Sequence, residues 1–240
     1  MKFSTISQIR VEDLNTWQGK LFLTFDADWA HDDVIGDVID LVEGADVPAT
    51  WFITHHSEIL DRLRENPNFE IGIHPNFNPL LLGDNSKGRN SAEVLEKIKD
   101  VVPEATSVRS HSLAQGSLLQ QEFLSIGLTH DCNLLIPEQS QFGAIRPFKL
   151  WDGMTRVPYF FCDYCRCLYS SSRSMGDLMA CDGLKVFDFH PIHVFLNTEN
   201  LVRYEGSRSL HQCPSELLAK RGTDSGGSRE LLKTLLGGIS

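Results

Sequence analysis

Long hydrophobic runs are missing from this sequence of 240 residues. Leu21-Phe22-Leu23 is typical of its apolar stretches and falls far short of the roughly 18 residues a membrane span takes. The first ten residues hold no apolar core followed by a small-residue cleavage site, so they do not read as a signal peptide. The cytoplasm is therefore the expected compartment. Basic residues are outnumbered, with 22 Lys and Arg against 32 Asp and Glu and a formal net charge of -10. That balance disfavours a nucleic-acid partner, whose phosphates need a basic surface. The six cysteines, Cys132, Cys162, Cys165, Cys167, Cys181 and Cys213, have no regular spacing. They read as free thiols of a reducing compartment. Cys162-x-x-Cys165-x-Cys167 offers a zinc-binding reading, but it lacks a second Cys or His pair at zinc-ribbon spacing.

What is present is apolar material for a core, 41% of residues, arranged as short runs alternating with amphipathic stretches. Residues 1–240 read as one domain. Strands are expected at 20–26, 48–54, 69–73, 107–110, 128–133 and 184–190. A helix opens at Asp32-Asp33, taken as its cap, and stops at Gly44. Further helices are expected at 91–101, 117–126, 174–181, 215–221 and 228–236. Residues 142–161 read as irregular or β, and 222–227 as a flexible linker. Repeated strand–helix alternation implies an α/β fold, with a parallel sheet and helices outside it. Such folds place reactive groups at the carboxyl ends of their strands.

Three of those ends carry the polar residues of interest. The first strand runs through Leu21-Phe22-Leu23-Thr24-Phe25 straight into Asp26-Ala27-Asp28. An acid at that depth needs a partner, and two acids two residues apart on an extended backbone share a face. The third strand ends in His74-Pro75-Asn76-Phe77-Asn78. Pro75 suits the first position of a helical turn, which would bring His74 and Asn78 to one face, able to share a metal ion. The last strand ends in Phe189-His190-Pro191-Ile192-His193. Any one histidine is as well explained by core packing, but together these strand ends are not.

These residues resemble the polysaccharide deacetylase family, also called NodB-homology or carbohydrate esterase family four. Thr24-Phe25-Asp26-Ala27-Asp28 is similar to the family's opening Thr-Phe-Asp-Asp-Gly, and Ala49-Thr50-Trp51-Phe52-Ile53 to its Ala-Thr-Phe-Phe-Val. His74 to Asn78 matches the family's His-x-x-x-His, with Asn78 in place of the second His. Val108-Arg109-Ser110-His111 is similar to its arginine motif. Asp163 after Val157-Pro158-Tyr159-Phe160-Phe161-Cys162 matches its later aspartate, and His190 its last motif. The resemblance implies a deformed (β/α) barrel of about seven parallel strands. Phe189-His190-Pro191-Ile192-His193 also resembles deacetylase-like proteins of lipopolysaccharide O-antigen assembly.

The resemblance further implies an N-deacetylase acting on an N-acetylated sugar that is free, nucleotide-linked or lipid-linked. Carried over by position, Asp28, His74 and Asn78 would hold one divalent metal, zinc by default. Asp26 would be the general base, with Arg109 keeping it charged and oriented. A backbone N–H just after Arg109 would help hold an oxyanion. His190 would be the acid, with Asp163 orienting it and His193 as the alternative. Trp29, His111 and His193 would line the sugar site. A non-catalytic glycan-binding protein of the same fold and an amide hydrolase for a small non-sugar substrate are the rival readings.

Overall fold

The computed structural model describes residues 1–138, 140, 143–169, 171 and 173–238. Its ten strands are β1 (Lys2–Ser4), β2 (Lys20–Asp26), β3 (Ala49–Ile53), β4 (Phe69–Ile73), β5 (Ser107–Val108), β6 (His130–Asp131), β7 (Phe148–Lys149), β8 (Thr155–Arg156), β9 (Phe161–Cys162) and β10 (Lys185–Phe189). They form one mixed sheet in the order β7-β8-β6-β5-β4-β3-β2-β10-β9, with β1 beside β2. Every pairing is parallel except β7 with β8. Among the described residues the path stays open at β7 and β9, so the expected barrel is realised as a curled half-barrel with helices outside it. No described helix is long and apolar enough to cross a membrane.

Strand alternation sorts the side chains. On β2, Leu21, Leu23 and Phe25 join the larger apolar cluster, with Val34, Ile35 and Val38 of the helix Asp32–Gly44. Phe22 joins a second cluster that fills the concave interior with Ile6, Trp17, Phe52, Tyr159 and Val186. With a side-chain period of two, Thr24 and Asp26 continue the inward series of Phe22, and Asp188 continues that of Val186. The interior is thus apolar near the strand starts and polar near their carboxyl ends. The N-terminal segment contributes to the apolar part, and Ile6 N–H donates to Thr50 Oγ1 at 3.1 Å. At Gly72 in β4, a Cβ would sit 2.6 Å from Ser107 Oγ and 2.7 Å from the Phe52 ring, so only glycine lets these strands close up.

Several local expectations are corrected. The cap of the first long helix is His31, whose Nδ1 accepts from Asp33 N–H at 3.1 Å; Asp32 and Asp33 lie in its first turn. The stretch 222–227 is tied down rather than free. Asn197, in a left-handed conformation, donates through Nδ2 to the carbonyls of Gly222 at 3.1 Å and Asp224 at 2.9 Å. Residue 142, at the start of the stretch read as irregular or β, lies outside the described residues.

Candidate active site and metal centre

Asp26 (last in β2), His74 (after β4), Arg109 (after β5), Asp163 (after β9), Asp188 (in β10) and His190 (after β10) all come from the carboxyl ends of parallel strands. Asp26, Asp28, His74, His111, Asp188, His190 and His193 line one cavity of about 420 Å3, with Tyr164, Tyr204 and Arg208 among the other residues of its wall.

Its deepest element is Arg109, whose side chain is 0% exposed. The guanidinium lies 4.6 Å from the Phe52 ring centre and 4.3 Å from that of Tyr159. Its Nη1 donates to Asp26 Oδ1 at 2.9 Å, to Thr24 Oγ1 at 3.0 Å, and to Asp188 Oδ1. The expected Arg109–Asp26 pair is therefore formed, and a second acid shares it. Burial pushes the Asp188 carboxyl up from the ordinary range, Arg109 opposes this, and the nearby Asp26 adds to it. Sequence reasoning missed Asp188, although Val186-Phe187-Asp188-Phe189 carries the same signal as β2, an acid inside an apolar strand.

Asp28 has φ 42° and Trp29 φ 56°, so the chain leaves β2 through a left-handed turn. Asp26 and Asp28 are consequently not neighbours on one extended face, as their spacing suggested. The turn carries Asp28 to two histidines. His111 Nδ1 is 2.9 Å and His74 Nε2 3.2 Å from Asp28 Oδ1. Burial would raise the Asp28 carboxyl, but hydrogen bonds from His111 and His74 and the positive field of His190 outweigh it and hold Asp28 well below the usual carboxylate range.

Asn78 does not join this group. Residues 74–77 form no helical turn, because Asn76 Oδ1 takes the Asn78 N–H at 2.9 Å and Pro75 O takes the His111 N–H at 2.9 Å. The Asn78 amide donates to Ser112 Oγ at 3.0 Å, and Asn78 is not in the cavity wall. The ligand-type atoms of Asp28, His74 and His111 instead lie within 4.8 Å of one another. His74 Nδ1 is buried without a hydrogen-bond partner, 3.8 Å from Asp26 Oδ1. One carboxylate and two imidazoles around an open cavity suit a divalent ion such as zinc. The chemistry of this donor set therefore fits the metal the family implies, with His111 where Asn78 was expected.

Opposite lies His190. Asp163 accepts from its backbone N–H at 3.0 Å through Oδ2 and pairs with Nδ1 at 2.7 Å through Oδ1. Nε2 is left toward the cavity, 3.7 Å from Asp28 Oδ2. Burial works against the imidazolium, but Asp163 by charge and hydrogen bond, followed by Asp28, raises His190 well above the ordinary histidine range. His193, in the helix Pro191–Leu196, packs its ring 4.7 Å from Tyr204, and burial lowers it to about 4. A histidine that stays neutral near pH 7 is poorly placed to donate a proton, which separates it from His190.

Two further expectations change. The N–H groups after Arg109 are committed, Ser110 to Asn133 Oδ1 at 2.7 Å and His111 to Pro75 O, so neither is available for an oxyanion. Trp29 does not line the cavity; it packs edge-on to His111 at 5.0 Å and faces a neighbouring groove with Thr54 and Pro75. The three cysteines read as a zinc motif do not converge as a set among the described residues: Cys167 Sγ turns to Thr198 O at 3.8 Å.

A family model described as WbmS-like polysaccharide deacetylase matches residues 23–208. A solved Bordetella bronchiseptica structure, WbmS, assigned as a polysaccharide deacetylase involved in O-antigen biosynthesis, is 45% identical with a TM-score of 0.93, covering 100% of this chain and 98% of the other. A Mycobacterium smegmatis structure assigned as a polysaccharide deacetylase shares the fold at 14% identity and a TM-score of 0.56, covering 97% of this chain and 86% of that one. Among curated proteins, none matches the sequence.

Proposed function

Because the chain belongs to the WbmS-like polysaccharide deacetylase family, we propose that it is a cytoplasmic, metal-dependent hydrolase of one catalytic domain, removing the N-acetyl group of a sugar during O-antigen-type polysaccharide assembly. The observation that carries this reading is the convergence on one cavity of three groups. These are Asp28–His74–His111, the Arg109-held Asp26, and the Asp163-held His190. A pure binding protein has no use for all three together. The missing second histidine of the family motif would favour that rival, but His111 stands with Asp28 and His74 instead.

Asp28, His74 and His111 would hold the ion, zinc in the first instance. When bound, such an ion polarises an amide carbonyl and makes water more acidic. Asp26, fixed by Arg109 with an oxygen toward the cavity, takes the proton from the attacking water. Asp163 accepts a hydrogen bond from Nδ1–H of His190, so protonated His190 presents Nε2–H to the departing sugar amine. Tyr164 and Tyr204 stand beside it with apolar ring surface for a sugar face. His193 supports the wall as a neutral ring.

The test is acetate release from N-acetylated sugars, offered free, nucleotide-linked and lipid-linked, with and without added zinc. Asp26→Asn and His190→Ala should each lower turnover by about 100-fold or more. Wild-type turnover in Asp26→Asn would remove the general-base role. Zinc-independent turnover would remove the metal.

A further inference from the structure

Cys162 and Cys165 have no part in the chemistry above, yet both line the catalytic cavity. Cys162 ends β9 and is the N-cap of the helix Asp163–Leu168, and Cys165 is the third residue of that helix, so the two side chains occupy the neighbouring N-cap and N3 positions of one first turn. The Cys162 sulfur also lies within 4.8 Å of the nearest ligand-type atoms of Asp163 and His190. The remaining thiols are placed otherwise. Cys132 is fully buried, Cys167 turns to Thr198 O, Cys181 Sγ donates to Asp177 O at 3.3 Å, and Cys213 is exposed.

The pair divides its roles by access. Cys162 is buried, while Cys165 is partly open to the cavity. The neighbouring Cys162 thiol, and then the positive field of His190, hold the Cys165 thiol below its ordinary range. The Cys165 thiol beside it, and then burial, push the Cys162 thiol up. An accessible, acidic thiol with a buried thiol in the same helical turn is the arrangement of an attacking and a resolving cysteine.

We propose that Cys162 and Cys165 form a reversible disulfide in the wall of the catalytic cavity, with a peroxide as oxidant. The Cys165 thiolate attacks one peroxide oxygen. An S–O bond forms, the O–O bond breaks, and the leaving hydroxide takes a proton to become water. The Cys162 sulfur then attacks the Cys165 sulfur. The S–S bond forms, the S–O bond breaks, and the departing hydroxide takes the Cys162 proton as a second water. Two thiols lose two electrons in all, and one peroxide becomes two waters. The closed ring encloses Asp163 and Tyr164, the residue that holds His190 and a residue of the sugar-facing wall.

The experiment treats the intact protein with hydrogen peroxide, blocks remaining thiols with iodoacetamide under denaturing conditions, and maps all six cysteines by mass spectrometry. Cys162 and Cys165 should escape alkylation in parallel, joined in one peptide that has lost two hydrogens, and dithiothreitol should restore both. In Cys162→Ala, Cys165 should stop at a sulfenic acid that dimedone traps. Cys165 oxidised to sulfinic acid while Cys162 still alkylates would overturn the proposal. So would Cys165 joined to Cys167, a reaction confined to Cys213, or no dimedone adduct in Cys162→Ala. No outcome depends on deacetylase activity, so this inference and the proposed function stand or fall separately.

Discussion

The two halves of the site are built on different backbones. The Arg109 half rests on the sheet: Thr24 and Asp26 in β2, Asp188 in β10, and Arg109 directly after β5. The Asp28–His74–His111 half rests largely on turns. Of the six described non-glycine residues with positive φ, four lie in or beside it: Asp28 at 42°, Trp29 at 56°, Ser112 at 56° and Leu113 at 56°. Left-handed backbone is costly for such residues and persists only where the surroundings impose it. Asp28 and His111 are also more open, at 24% and 25% exposed against 0% for Arg109, whereas His74, directly after β4, is as buried as the ladder at 2%. The lesson is that the ladder fixes the buried arginine and the acids it holds, whereas strained turns carry Asp28 and His111 to His74.

The largest effect expected from this contrast is on the ladder side. Arg109→Leu leaves Asp26 and Asp188 buried without their cation, and losing one partner of a buried pair costs about 3–5 kcal/mol. A drop of that size in urea unfolding is expected; a loss under 1 kcal/mol would mean that Arg109 is not what holds the two acids.

A smaller, pH-dependent effect is expected at His193, which belongs to neither half. Unfolded, its imidazole takes up a proton near 6.5, whereas in the fold burial delays this to about 4. The unfolded chain therefore holds more protons across that window. Stability falls as pH drops from 6.5 toward 4, by roughly 3 kcal/mol from this group at most. His193→Phe should lose less stability than wild type over the same range. Parallel stability-versus-pH curves would show that the fold does not keep His193 neutral.

The smallest effect is on the turn side. Ser112→Gly relieves one left-handed residue, worth roughly 1 kcal/mol, but gives up the bond from Asn78. A net change within about 1 kcal/mol is expected. A loss several times larger would mean the turn is held by Ser112 itself rather than imposed on it.

This division also explains how much of the molecule the sequence showed. Asp26 was legible because an acid stood at the end of an apolar run. Arg109, Asp163 and His190 followed from family motifs, and the pairing of each with its expected partner is present in the structure. Strand–helix alternation conveyed the architecture. However, β5, β6, β8 and β9 are two residues each, too short for periodicity to mark their ends. Asp188 was overlooked because the last strand was read for its histidines. His111 stood in view but was given to the sugar. Its approach to Asp28, 83 residues away, depends on two left-handed turns that no spacing rule encodes. Asn78 follows from motif position alone, and residues 74–77, which form no helical turn, leave it bonded to Ser112 and outside the cavity wall.

The metal half of the site turns on His111, and zinc titration by calorimetry tests this most directly, with wild type, His111→Ala and Asn78→Ala compared at one pH. His111→Ala should weaken zinc binding by about 100-fold or more, a loss of about 3 kcal/mol, while Asn78→Ala stays within a few-fold of wild type. The reverse order, with Asn78→Ala losing the metal and His111→Ala keeping it, would contradict the assignment and restore the family's own spacing.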